Sequence, residues 1–527
     1  MHDITTDRHY RLENVKSAFG KPGEWYAASE AGAIIYTPLK TEKADALDVV
    51  APRLNTLFMV EGDAAANRKA GNITFEKITF AHTAFVLPDG GCADHQASLD
   101  HAGAIVARFA DTVVVKNCDI RRTGGWGVKF EGGCAGCAVR DSRLFDLGAG
   151  GVEIGSPKRG IRKDDRAEYT ERCAVERCFI ECGGRVHPSA IGVAVTLAGY
   201  NLVSHNTIRD FYYSAVSVGH DWGDGNPAAA GNIVEWNHIY DIGQRVLSDL
   251  AAVYTLGEQP GTEIRNNLIH DVWTARYGAQ GVYLDQGSKY ITVSNNIIVR
   301  ALEASFSSAA GACGHNLFAN NIFMFPRRYV AWLYSEKDYG NWMPKNKHSP
   351  DHQLFIERNI FLGDENLKGM FPADGRQPLS DRIHFKSNTW WNIGWPEDFK
   401  FSSWTKGTNV IDVVTEDDPP EAFYQSPKQW CDRLRLKVPS EDVANFLAKA
   451  DGDVVADPLL AMPYGSEQFL LPAPDSPAVK NGFVPFDLSH EVGAEKPHAK
   501  GYSRMMRPEN ATQTFPRAPL SPSAQKT

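Results

Sequence analysis

One short pattern constrains this chain more than any other feature. An apolar residue, two variable positions, a ladder position that is usually Asn, Cys or Ser, one more variable position and a second apolar residue recur eleven times between Phe75 and Trp390. The first apolar column runs Phe75, Val115, Val139, Val175, Val203, Val234, Ile264, Val293, Phe318, Ile356 and Phe385. The second runs Phe80, Ile120, Leu144, Ile180, Ile208, Ile239, Ile269, Ile298, Phe323, Phe361 and Trp390, with no break in either column. The ladder position begins Ile78, Cys118, Ser142, Cys178. It then carries seven consecutive Asn, from Asn206 through Asn237, Asn267, Asn296, Asn321 and Asn359 to Asn388.

Self-similarity at this period is the mark of a solenoid. If each repeat is one coil, equivalent residues stack about 4.8 Å apart. A buried Asn can then donate to the next coil and accept from the one before, so both ends of its amide are satisfied. The copies are spaced 40, 24, 36, 28, 31, 30, 29, 25, 38 and 29 residues apart. Strands that hold register while loops lengthen between them give such a series. A further strand shows in six coils: Val128–Phe130, Val152–Ile154, Val193–Val195, Val216–Val218, Val253–Thr255 and Val282–Leu284. The reading is all-β: a right-handed parallel β-helix of about eleven or more coils. A leucine-rich repeat is set aside because its Leu consensus and helical half-turn are missing.

The length of 527 residues, nominally three or four domains, therefore reads as one solenoid with additions. Residues 1–70 are expected to form an N-terminal cap with a hairpin at Trp25-Tyr26 and Ile34–Tyr36, because an open core needs covering. The β-helix takes 71–400. Residues 401–455 read as a loop and short helical insertion, with Ser440 a candidate N-cap before Val443, Phe446 and Leu447. Residues 456–494 read as a C-terminal coil or cap, and 495–527 as a tail.

The formal charge of -9 argues against a nucleic-acid partner, which needs clustered Lys and Arg. No apolar run reaches the roughly 18 residues of a membrane helix. The N-terminus lacks a signal-peptide profile, so the chain as written is expected in the cytoplasm, or in the periplasm or outside if the N-terminus has been trimmed. The nine Cys suit reduced thiols better than a disulfide framework. Cys134, Cys137, Cys173, Cys178 and Cys182 invite a zinc reading, but Cys118 and Cys178 occupy the ladder column, and Cys137 and Cys173 share a position five residues before it. Buried small thiols in a stack explain them. No metal site and no cofactor are expected. Oligomeric state is left open.

Chemistry concentrates between 205 and 289. If Val282 and Leu284 point inward, Tyr283 and Asp285 point outward, and Tyr254 lies one coil from Tyr283. Asp210, Asp241 and Asp271 recur two residues after the second column and read as coil-end caps. Asp249 and Asp285 break the repeat and read as functional. Aromatic rings beside two carboxyls suit a sugar and the acid and base, or nucleophile, of glycoside cleavage.

The stretch from Ser248-Asp249 through Tyr254-Thr255-Leu256-Gly257 to Gln259-Pro260-Gly261-Thr262 resembles glycoside hydrolase family 141 and related right-handed β-helix proteins. So do Tyr277-Gly278 through Tyr283-Leu284-Asp285-Gln286-Gly287-Ser288, Gly23–Tyr26 with Ile35–Leu39, and Ala456–Leu459. The resemblance covers roughly residues 20–490. It implies hydrolysis of carbohydrate, in a family with α-fucosidase and xylanase activities, with the two aspartates falling on Asp249 and Asp285. Tyr254, Tyr283 and Trp222 would bind the sugar, with His220, Asp221, Glu258, His270 and Gln286 as further polar contacts. The chain departs from the pattern at Ala251-Ala252, where glycines are usual, at Ala279-Gln280, at Gln286 where Glu is common, and at His220-Asp221. These changes alter the pocket wall and keep both carboxyls. The expected function is a glycoside hydrolase on a plant or microbial polysaccharide or oligosaccharide. A polysaccharide lyase or uronate epimerase on the same fold is the second reading, and a non-catalytic glycan-binding protein the third.

Overall fold

In all eleven copies of the pattern, the residue before the ladder position adopts a left-handed conformation, from Lys77 (φ 57°) through Asn266 (φ 55°) to Ser387 (φ 55°). That single left-handed residue turns the chain between two strands, so the two apolar columns belong to different sheets. The computed structural model describes residues 12–92, 94–156, 161–165, 167–222, 227–308, 313–333, 353–363, 367, 371–372, 383–392, 402–403, 450–461, 471–488 and 492–494.

Among the described residues, three long parallel sheets wind into a right-handed β-helix. The first has 11 strands from Ala70–Glu76 to Ile383–Lys386 and carries the first apolar column. The second has 12 strands from Thr79–Ala81 to Val454–Val455 and carries the second column. The third has 10 strands from Phe58–Glu61 to Tyr329–Leu333. Column members face each other in register, as Val139 does with Val115 and Val175, and Ile239 with Ile269. Their side chains fill one continuous core. Toward the C-terminal end the second column becomes aromatic. Phe323 and Phe361 stack at 5.2 Å and Phe361 and Trp390 at 4.0 Å.

The Asn column forms a hydrogen-bonded ladder. Asn206 Nδ2 donates to Asn237 Oδ1, Asn237 to Asn267, Asn267 to Asn296 and Asn296 to Asn321, each at 2.9–3.0 Å. Each Oδ1 also accepts the backbone N–H of the preceding Asn, as Asn267 Oδ1 does from Asn237 N at 3.0 Å. The ladder ends on Asp453, which accepts from Asn388 Nδ2 at 3.0 Å and from Trp390 Nε1 at 2.8 Å. A second file runs five residues earlier, with Cys173 N donating to Asn201 Oδ1 and Asn201 to Asn232, both at 2.9 Å. The thiols at 118, 134, 137, 173 and 178 are buried and free. Burial pushes the Cys178 thiol up to about 12, which leaves it protonated.

The chain divides into two compact units, 1–52 and 53–527. In the first, Trp25–Ala28 pairs antiparallel with Ala33–Tyr36 through a turn at Ser29–Ala31. In the second, Phe58–Glu61 pairs with Gly103–Arg108, so the solenoid begins ahead of residue 71. At the other end Val454–Val455 pairs with Thr389–Trp390 as a further rung. The helical insertion expected within 401–455, with its cap at Ser440, and the tail 495–527 lie outside the described residues. Residues 471–488 and 492–494 run down the outer face of the second sheet. Phe483 and Leu488 cover its outward Ile297, Ile322 and Ile360, Val484 N donates to Asn320 Oδ1 at 2.7 Å, and Gly493 N donates to Trp236 O at 2.8 Å.

Candidate active site

The candidate groups gather on the outer face of the third sheet, where Leu250–Thr255 lies against Ala279–Leu284, and that strand against Ala304–Ser308. Val253 and Val282 face the core. Alternation sends Tyr254 and Tyr283 to the other side, where they form a separate cluster with Ala251, Leu256 and Cys313 that Trp222 packs against.

Asp249 enters the first of these strands in the left-handed region (φ 61°), which Asp tolerates better than most residues. The next coil places Gly278 (φ 72°) beside it. A Cβ there would lie 2.7 Å from the Asp249 Cα, so only glycine lets the two coils close. Asp285 leaves the second strand. Its Oδ2 accepts the Tyr254 hydroxyl, and its backbone N–H donates to Thr255 O at 3.1 Å.

Burial pushes the Asp249 carboxyl up to about 7, and the negative charges of Asp285 and Glu303 push it the same way. Burial raises Asp285 as well, against hydrogen bonds from Tyr254, the Gln286 N–H and Tyr283 that favour its anion. Glu303 is raised by burial too, although the Gly278 N–H and the Arg328 guanidinium stabilise its charge. Tyr213 completes the group. Burial and then the Asp249 charge hold its phenol neutral, and it accepts from Gln96 Nε2 at 3.1 Å.

The two tyrosines differ from expectation in one respect. They lie on the outer face but are only 2% and 4% exposed. Their rings meet edge to face at 5.0 Å and 86°, beneath Trp222. A covered ring cannot offer a flat face to a pyranose. What these residues offer is their hydroxyls, directed at Asp285. Trp222 is half-buried and meets the His220 ring at 4.8 Å. The turn carrying them is tight: Gly257 (φ 86°) lies under Asp221, whose carbonyl oxygen would be 2.8 Å from a Cβ there. Gln286 sits at the turn after Asp285, its carbonyl accepting from Gly257 N at 2.9 Å.

Glu258 begins a strand of the first sheet, around the corner from this face. His270 is on the second sheet, which corrects its assignment to the sugar contacts. Its Nε2 is 2.8 Å from His238 Nε2 and its Nδ1 is 2.7 Å from Asp271 Oδ2. Asp271 also takes Arg300 at 2.7 Å, and Asp210 takes Arg185 and Gln244. Both are coil-end ligands in left-handed corners, at φ 56° and 60°.

Sequence reasoning missed Glu303, Tyr213 and Gln96. Glu303 was within reach: it precedes the strand above Ala279–Leu284, but Ala304–Ser308 lacks the Val-x-apolar signature that marked the earlier coils.

The fold and this face together define a parallel β-helix with a carboxyl cluster set among tyrosines. No family model matches the chain, and no curated protein matches it. Among solved structures it is similar to one described as a glycoside hydrolase, with 24% identity and a TM-score of 0.50, over 58% of this chain and 57% of that one. The match thus spans little more than half of that protein. It is also similar to the catalytic domain of a family 87 α-1,3-glucanase in complex with tetrasaccharides (11% identity, TM-score 0.35, 64% of this chain and 55% of that one). A third is a mannuronic acid specific polysaccharide family 6 lyase from human gut microbiota (12% identity, TM-score 0.36, 75% and 96%). At these identities the likeness is one of fold.

Proposed function

We propose that this chain is a glycoside hydrolase acting on a plant or microbial polysaccharide or oligosaccharide, with Asp249 as general acid and Asp285 as nucleophile or base. One observation carries the reading: two carboxyls on adjacent coils of one outer face sit in environments that separate their roles. Asp249, pushed to about 7 by burial and by its acidic neighbours, keeps a proton to give a leaving oxygen near neutral pH. Burial raises Asp285 as well, but two phenols and a backbone N–H bonded to it favour its anion, an opposition that Asp249 lacks. Glu303 adds negative charge that keeps Asp249 protonated. The similarity to a structure described as a glycoside hydrolase agrees with this reading. The first test is reducing-sugar release across a panel of plant and bacterial glycans and aryl glycosides; no turnover on any of them would remove the assignment.

The electrostatics set two expectations. The acid limb must be protonated, so kcat/KM is expected to fall about tenfold per pH unit above about pH 7, where Asp249 ionises. A pH profile flat from 6 to 9 would exclude Asp249 as the acid. Tyr254→Phe removes a charge-assisted hydrogen bond to Asp285. It is expected to lower kcat/KM about 10- to 100-fold and to move the low-pH limb upward, because Asp285 becomes harder to ionise. A loss with no movement of that limb would point to packing instead.

A further inference from the structure

Gln280 stands in the middle of the candidate site and has no part in the chemistry proposed above. It lies on the strand Ala279–Leu284 and is 1% exposed, and its Oε1 has no hydrogen-bond partner among the described residues. Strict alternation from the inward Val282 would turn it into the core. The strand breaks that alternation. A Cβ on Gly281 would lie 2.3 Å from Cγ2 of Ile298, a core residue, so Gly281 and Val282 both face inward. Ala252 and Val253 do the same one coil earlier. This double inward step brings Gln280 to the outer face, in register with Ala251, which packs with Tyr254 and Tyr283.

Its neighbours explain why the amide is bare. Along the sheet its register partners are Ala251 and Ala304, whose methyl groups have nothing to bond. The carboxyls lie on either side. Gly278, two residues earlier, abuts Asp249 and donates its N–H to Glu303, and Asp285 follows the far end of the strand. Buried polar atoms are almost always paired in folded proteins, and an exception calls for a ligand or another functional reason. A leucine of similar size would fill this place without leaving a polar atom bare. Asp249 is half-buried and Tyr277 is 54% exposed, so a ligand reaches this face from the Asp249 end.

We propose that Gln280 is a specificity-determining residue whose Oε1 accepts a hydroxyl of a neutral sugar held beside Asp249. The role presupposes that this face binds and cleaves glycan as proposed above. An amide oxygen only accepts, so its partner must carry a proton, as a ring hydroxyl does. A uronate carboxylate has none to give. It would also add an anion beside Asp285 and Glu303, where burial and then those two charges already push the Asp249 carboxyl up. The Arg328 guanidinium is taken by Glu303 at 3.5 Å. Neutral glycans are therefore favoured over uronates.

The experiment compares the full chain with Gln280→Leu on 4-nitrophenyl glycosides. The set holds neutral hexosides and pentosides, the matching uronides, and singly deoxygenated forms of the best neutral substrate. Wild type is expected to cleave neutral glycosides and to leave the uronides intact. Gln280→Leu is expected to lower kcat/KM about 10- to 100-fold on the best neutral glycoside. On the one deoxy form that lacks the hydroxyl read by Gln280, wild type and variant are expected to be equal. The variant is expected to melt no lower than wild type, because it removes a bare polar group. A loss of the same size on every deoxy form, or a lower melting temperature, points to packing and overturns the role. Uronides cleaved faster than neutral glycosides overturn it too. If no glycoside is cleaved, calorimetric binding of the same set decides, which keeps this role distinct from the hydrolase reading. Weaker binding by Gln280→Leu, confined to forms that keep one particular hydroxyl, supports it. A Kd unchanged in Gln280→Leu on every neutral glycoside, or no binding by wild type, overturns it.

Discussion

Asp249→Asn and Asp285→Asn are each expected to lower kcat/KM by about 10^3-fold on whichever glycoside the wild type cleaves, because each removes an acid, base or nucleophile from the reacting bond. That factor corresponds to about 4 kcal/mol of transition-state stabilisation. Stability separates this from a folding defect. The folded carboxyl of Asp249 sits at about 7, above its ordinary value of 3.8. A raised acid contributes stability that is present below the unfolded value and lost as pH rises through the folded one. At pH 8 wild-type Asp249 is therefore ionised at a cost to the fold, and asparagine avoids that cost. Asp249→Asn is expected to melt at a higher temperature than wild type at pH 8 while being inactive. A variant that is inactive and also less stable at that pH would argue that Asp249 holds the coil together instead.

The largest expected effect on stability is at the middle of the ladder. Asn267 donates through Nδ2 to Val234 O and Asn296 Oδ1, at 2.9 Å each. Its Oδ1 accepts from the backbone and side chain of Asn237 at 3.0 Å each. Asn267→Ala strands the Asn237 N–H and one Nδ2–H of Asn237, and takes one donor from Val234 O and one from Asn296 Oδ1, which keeps the backbone N–H of residue 267. With about 1–3 kcal/mol for each buried group left unsatisfied, a loss of at least about 3 kcal/mol is expected in urea unfolding. The neighbouring Asn266 lies in the left-handed corner (φ 55°), and Asn266→Ala is expected to cost only about 1 kcal/mol of backbone strain. Equal losses for the two variants would mean that the ladder contributes no more than the corner does.

The solenoid was legible because the physics repeats. Every coil poses the same burial problem to the same column, so Val115 and Ile356 answer it alike. The corner was not legible: its residue is Lys77, Asp141, Trp236 or Asn295 by turns, since a left-handed backbone at the surface constrains conformation more than identity. Asp249 and Asp285 stood out because they break a periodic background. The burial of Tyr254 and Tyr283 was not legible either. Alternation gives the face of a sheet, but Trp222 and Cys313, which lie over that face, come from turns whose path no local pattern predicts. His270 was misassigned for the related reason that nearness in sequence to Asp285 is not nearness in space when each coil passes through three sheets. Gln96, more than a hundred residues from Tyr213, meets its hydroxyl through a contact that no local pattern signals.

The central claim is hydrolysis at the carboxyl pair, and product analysis in 18O-labelled water tests it most directly. The account predicts a new reducing end that carries the label and no unsaturated sugar, with the labelled product absent in Asp249→Asn and Asp285→Asn. An unsaturated uronate product, or glycan that is bound and returned intact, would contradict it.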